Sequence, residues 1–136
     1  MAAVKLPPEP TGDFTESTLS SKLVYEGGFL RLRRDEVRLP DGAPALREYV
    51  EHPGAVVVIA LDGLSRVTLV RQYRPPIGDF LLALPAGGLE PGEDPAACAA
   101  RELAEETGLA AGRLDRLGSF YSSPGFVHEE LHAFLA

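Results

Sequence analysis

At 136 residues the chain has the length of one domain, enough to bury about two thirds of its unfolded surface without staples. A hydrophobic share of 45% and a charged share of 24% exclude disordered and fibrous classes, and no run reaches the roughly 18 apolar residues of a membrane helix. A net charge of −7 with no compensating basic run argues against nucleic acid and anionic membranes as partners, so an anionic ligand would need local Arg, Lys or metal ions.

Residues 1–20 hold Pro7, Pro8 and Pro10 among polar residues and are expected to form a mobile arm, with residues 21–136 as the folded domain. They contain no apolar signal core, and Cys98 is the only cysteine, so a reducing, cytoplasmic setting is expected. Strand patterns occupy residues 23–26 and 29–39, separated by Gly27-Gly28. Asp41-Gly42 turns the chain into a strand over 45–52, a hairpin signal. The continuous apolar run 55–61 predicts a central strand buried on both faces. Asp62-Gly63 leads into strands at 66–73 and 80–84.

One clear helix is predicted over 95–107, with Asp94 as N-cap, Pro95 in the first turn and Gly108 as a left-handed C-cap. Strands follow near 117–122 and 130–135. Two faces of a buried strand need two covering layers, yet one helix is visible. A partner subunit or a further C-terminal segment is therefore expected, the latter in a protein of roughly 170–200 residues.

At 3.6 residues per turn, Glu105 and Glu106 fall on the same face as Glu102, while Leu103, Ala96, Ala97, Ala100 and Ala104 collect opposite. Three crowded carboxylates repel unless cations intervene, and hard oxygen donors suit Mg²⁺. Taken alone, three acids read as a solvated face with Glu–Arg pairs. The surrounding spacing overturns that reading. Gly87 is followed by five residues and Glu93, then by seven residues and Arg101-Glu102-Leu103-Ala104-Glu105-Glu106-Thr107-Gly108-Leu109.

These nine specified positions over 23 residues resemble the Nudix box in full. The resemblance implies an α/β fold: a Nudix-type α/β/α sandwich with a mixed central sheet and N-terminal antiparallel strands. It implies hydrolysis of a nucleoside diphosphate linked to another group, using Mg²⁺ or Mn²⁺, with two or more ions per site. By position, Glu102 and Glu106 would be the main metal ligands and Glu105 would assist. Arg101 would orient Glu102, and Glu93 would support the loop. Gly87 and Gly88 would admit the backbone to the metal, with the Ala86 carbonyl as a further ligand. The chemistry is consistent, because metals neutralise the diphosphate and acidify water.

The flanks look most like ADP-ribose pyrophosphatases. Leu84-Pro85-Ala86-Gly87-Gly88 opens the box as in that subfamily, and Ser122-Ser123-Pro124-Gly125-Phe126 follows it. Arg71-Gln72-Tyr73-Arg74 resembles a strand-end motif whose second Arg meets substrate phosphates. Arg47 resembles an Arg that reaches the adenine of the partner subunit's substrate. Phe29 or Tyr25 is a candidate for stacking on adenine, with core packing as the alternative. His52, His128 and His132 are not assigned as ligands, since imidazole suits Mg²⁺ poorly. In the resembling enzymes a further Glu lies beyond the last residues seen here, which leaves Glu129 as a contact to substrate or metal.

The resemblance implies conversion of ADP-ribose and water to AMP and ribose 5-phosphate by a homodimer, with no nucleic acid or membrane partner. A second reading changes the substrate to a nucleotide sugar, a dinucleoside polyphosphate or NADH. A third, a non-catalytic ADP-ribose-binding regulator, leaves the crowded carboxylates without purpose.

Overall fold

The computed structural model describes residues 11–28 and 30–136; the candidate stacking residue Phe29 and the first half of the expected arm lie outside the described residues. The elements run β1 (Ser17–Glu26), β2 (Arg31–Arg38), β3 (Pro44–Glu51), β4 (Ala55–Ile59), β5 (Val70–Arg74), β6 (Asp79–Ala83) and β7 (Ala86–Gly88). Then follow α1 (Pro95–Thr107), β8 (Asp115–Tyr121), β9 (Val127–His128) and β10 (Glu130–Leu135). β1 begins inside the stretch expected as an arm. Its ladder with β2 extends to Ser17 opposite Arg38, so pairing orders these Ser and Thr residues where composition suggested mobility.

Three sheets form. The N-terminal strands make an antiparallel meander, β1-β2-β3, which β9 extends in parallel. The Asp41-Gly42 hairpin signal corresponds to the β2–β3 turn: Gly42 has φ 88°, and Ala43 N–H donates to Asp41 Oδ1 at 2.9 Å. The second sheet has the order β7-β4-β10-β8 and is mixed, with β10 parallel to β4 and antiparallel to β8. The third is the β5–β6 hairpin. The α/β class, mixed central sheet and antiparallel N-terminal strands expected from the sequence are thus present.

β4 is central, as its apolar run predicted, but it alternates. Val56 and Val58 are fully buried while Val57 and Ile59 are half-buried, so one face is sealed and the other only partly covered. The strand also stops at Ile59, and Leu61 is exposed.

α1 seals the first face, packing Cys98, Ala99 and Leu103 against Val56, Val58 and Phe134. Its ends are as read: the Asp94 carboxylate accepts from Ala96 and Ala97 N–H, and Gly108 closes the helix at φ 72°. The expected apolar face is corrected. Ala96, Ala97, Ala100 and Ala104 are exposed, and the buried stripe runs through Cys98, Ala99 and Leu103, with Glu102 and Glu106 half-buried along its margin. Alanine is small enough to stand on either side of a helix, so the alanine cluster misdirected the wheel. Glu106 faces inward because the adjacent sheet edge offers it the Ala86 N–H, while Glu102 is held by Arg101 of its own helix.

Candidate active site on the β7 edge

β7 is an edge strand, and alternation along its ladder decides what that edge offers. Val58 N–H donates to the Pro85 carbonyl and Leu89 N–H to the Gly54 carbonyl, each at 2.9 to 3.0 Å. With Ala86 opposite Val57 and Gly88 opposite Ala55, these two residues fall at the non-bonded positions. Their backbone groups therefore point away from β4. α1 side chains meet that edge. Glu106 Oε2 accepts from Ala86 N–H at 3.0 Å, and the Gly88 carbonyl accepts from Arg101 Nη2 at 3.3 Å and from Cys98 Sγ at 3.5 Å. The Ala86 carbonyl, on the same side of its residue as the N–H, is presented at this edge.

Arg101 organises the carboxylates. Its Nε and Nη2 donate to the two oxygens of Glu93 at 2.9 Å each, a fork-to-fork pair. Its Nη1 donates to Glu102 Oε1 at 2.6 Å and to Glu105 Oε2 at 3.3 Å. The Arg101 fork, helped by the Glu90 N–H, pulls the Glu93 carboxyl down to about 2. The same carboxylates raise the Arg101 pKa further, Glu93 first and Glu102 next. Burial, with Glu93 adding to it, pushes the neighbouring Cys98 thiol up to about 12, so it is held as an inert thiol.

Space beside the carboxylates comes from a missing side chain. A Cβ on Gly87 would lie 2.0 Å from Glu102 Cδ and 2.2 to 2.3 Å from its oxygens, whereas one on Gly88 would meet nothing within 4 Å. Gly87 is thus a steric requirement of the site and Gly88 is not.

The donors fit a hard divalent cation: carboxylates from one face of a rigid helix beside a backbone carbonyl, with a cradle opened by Gly87. Among the described residues, no group of three His, Cys, Asp or Glu is gathered as a ready ligand set. The reason is visible in the hydrogen bonds, since Glu102 and Glu105 lean on Arg101 while Glu106 is held by Ala86 N–H and by Gln72 Nε2 at 2.6 Å. Gln72 had no role in the sequence reading. No local signal marked it, because its partner Glu106 lies 34 residues along the chain.

The other candidate residues divide between two places. Arg71 and Gln72 line a cavity of about 420 Å³ with Glu106 and Thr107. The Arg71 guanidinium sits 4.3 Å over the Phe80 ring, and Arg74 lies at the exposed turn of that hairpin. Arg47 and Pro124 line a different cavity of about 730 Å³, together with Glu16, Tyr49, Tyr121 and His128. None of the α1 carboxylates borders it. There Arg47 is paired with Glu16, and burial followed by a bond to Asp35 raises the Tyr49 pKa. Phe126 is 62% exposed, but its carbonyl accepts from Val50 N–H at 2.9 Å and docks the Pro124 turn on β3. Glu129 accepts from Ser122 and faces His52 Nε2 at 3.6 Å. Tyr25 is exposed on β1.

Residues 51–136 match the NUDIX domain model, and residues 16–50 match that of the nucleoside diphosphate sugar hydrolase N-terminal domain. The boundary falls at the end of β3. An ADP-ribose pyrophosphatase of Bacillus subtilis is 42% identical over 89% of this chain and 65% of its own length. Another from Mycobacterium tuberculosis is 44% identical over 88% of this chain and 58% of its own length. A methanol dehydrogenase activator of Bacillus methanolicus is 43% identical over 90% of this chain and 66% of its own length. The chain thus spans 58 to 66% of these curated relatives. A solved ADP compounds hydrolase shares the fold, with a TM-score of 0.81 at 20% identity over 93% of this chain and 69% of its own. No helix among the described residues is long and apolar enough to cross a membrane. With the box carboxylates ordered on the β7 edge and the family model covering everything from Glu51 onward, the chain belongs to the Nudix family.

Proposed function

We propose that this protein hydrolyses the diphosphate linkage of ADP-ribose to AMP and ribose 5-phosphate in a divalent-metal-dependent reaction. The observation that carries the reading is the carboxylate face of α1 laid on the open β7 edge, with Gly87 vacating the space in front of Glu102. The names of the B. subtilis and M. tuberculosis relatives support the choice of substrate.

In this reading Glu102 and Glu106 hold Mg²⁺ or Mn²⁺, two or more ions in all, with Glu105 and the Ala86 carbonyl assisting. The cations supply charge neutralisation for the diphosphate and acidify the attacking water. The protein supplies order. Arg101 fixes Glu102 through its short bond, and Glu93 in turn anchors Arg101 and the loop that follows β7. Arg71 and Arg74 on the adjoining hairpin place cationic groups for the phosphates. Arg47 and the Pro124 turn, in the second cavity, serve the nucleoside and ribose ends. That cavity is open beside the exposed β1–β3 sheet, and we read the protein as a homodimer, acting in the cytoplasm, whose composite sites draw Arg47 from the other subunit.

The runner-up keeps the chemistry and changes the substrate, since the N-terminal match is named for nucleoside diphosphate sugars. Product chromatography with Mg²⁺ on ADP-ribose, nucleotide sugars, dinucleoside polyphosphates and NADH tests the choice. The highest kcat/KM belongs to ADP-ribose here; a higher value for any of the others moves the protein to that class.

A further inference from the structure

Glu106 differs from the other box carboxylates in what holds it. Glu102 and Glu105 both lie against the Arg101 guanidinium, which offsets their charge. Glu106 is held by two neutral donors from two different elements: Gln72 Nε2 of β5 takes Oε1 at 2.6 Å, and Ala86 N–H of β7 takes Oε2 at 3.0 Å. Each oxygen has one donor, and a carboxylate offers about four lone-pair sites, so both oxygens keep capacity for a further partner. Two donors on opposite oxygens fix the plane of the group. Being uncharged, they leave its full negative charge for a cation.

We propose that Gln72 is a positioning residue for the reaction, orienting Glu106 toward a divalent cation without neutralising it. The proposal rests on the reading of Glu106 as a metal ligand. Along β5 the Gln72 carboxamide reaches Glu106 on α1, while the guanidinium of its neighbour Arg71 covers the Phe80 ring. The carboxamide suits the task. A Lys at the same place would reach Glu106 but take up its charge, and an apolar side chain would leave Oε1 free to rotate.

The test is Mn²⁺ affinity, measured by calorimetry on the whole chain without substrate, for wild type, Gln72→Met, Gln72→Lys, Glu106→Gln and the Gln72→Met/Glu106→Gln double variant. Partners that orient metal ligands are worth about 10- to 100-fold in affinity. Gln72→Met is expected to weaken Mn²⁺ binding by about that factor, with Gln72→Lys losing at least as much. The double variant is expected to bind no worse than Glu106→Gln alone, the mark of one residue acting through the other. Should Gln72→Met not fold, Gln72→Ser carries the same comparison. Unchanged Mn²⁺ binding in Glu106→Gln overturns the metal-site reading itself. Loss in Glu106→Gln with wild-type binding in the Gln72 variants, or additive losses in the double variant, overturns the role of Gln72 and leaves that reading standing.

Discussion

Gly87 and Glu102 share one volume: the Glu102 carboxylate occupies the place where a side chain on Gly87 would begin, 2.0 Å from that ideal Cβ. The clash is with the far end of a flexible side chain, so Gly87→Ala is expected to fold and melt within a few degrees of wild type. The carboxylate must move aside, however, and a displacement near 1 Å at a reacting centre costs about 100-fold in rate. Turnover near wild type in a folded Gly87→Ala protein would show that the position of Glu102 is not needed.

The Glu93–Arg101 pair gives a prediction in pH. The Glu93 carboxyl is depressed from 4.5 to about 2, so its contribution to stability is fully present above about 4.5 and is lost as pH falls toward 2. Urea denaturation of wild type and Glu93→Gln should therefore show a stability gap near neutrality that narrows steadily below pH 4.5. A gap that does not change with pH contradicts the ion pair as its source.

Packing and chemistry should separate on the helix. Leu103→Ala removes a fully buried side chain from the contact with Val56, Val58 and Phe134 and is expected to cost about 2–5 kcal/mol. Asp94→Ala removes the N-cap and should cost about 1 kcal/mol. Both losses are read by denaturant titration, and the folded fraction of Asp94→Ala should keep its metal affinity.

Much of this could be read from residue types alone, and the failures share a cause. Asp94, Pro95 and Gly108 act through their own backbone and caps, so the helix ends were legible. The strand cores were legible for the same reason, since alternation and turns are local. Which side of α1 is buried was not, because the wheel ranked exposed alanines as the core and missed that Glu102 and Glu106 serve a sheet edge. Ser17 at the start of β1 and Gln72 beside Glu106 were invisible too: each acquires its role from a partner far along the chain. The box disclosed the carboxylates; the neutral donors that hold Glu106 emerge only when β5, β7 and α1 meet.

Arg47 should behave as a binding residue. It lies in the cavity with Pro124 and apart from the α1 carboxylates, so Arg47→Ala is expected to raise KM more than it lowers kcat. In the composite-site reading, sedimentation should report a dimer. A fully active monomer, or a loss confined to kcat, contradicts that assignment.

The carboxylates on the β7 edge are proposed to form a metal-dependent diphosphate hydrolysis centre. Its most direct test is the rate of ADP-ribose cleavage, followed as AMP by chromatography, for wild type, Glu102→Gln and Glu106→Gln in chelator and in Mg²⁺. AMP is expected from wild type only with the metal, with a fall of orders of magnitude in both variants while their circular dichroism stays native. Cleavage that persists in chelator, or wild-type rates in both variants, would contradict it.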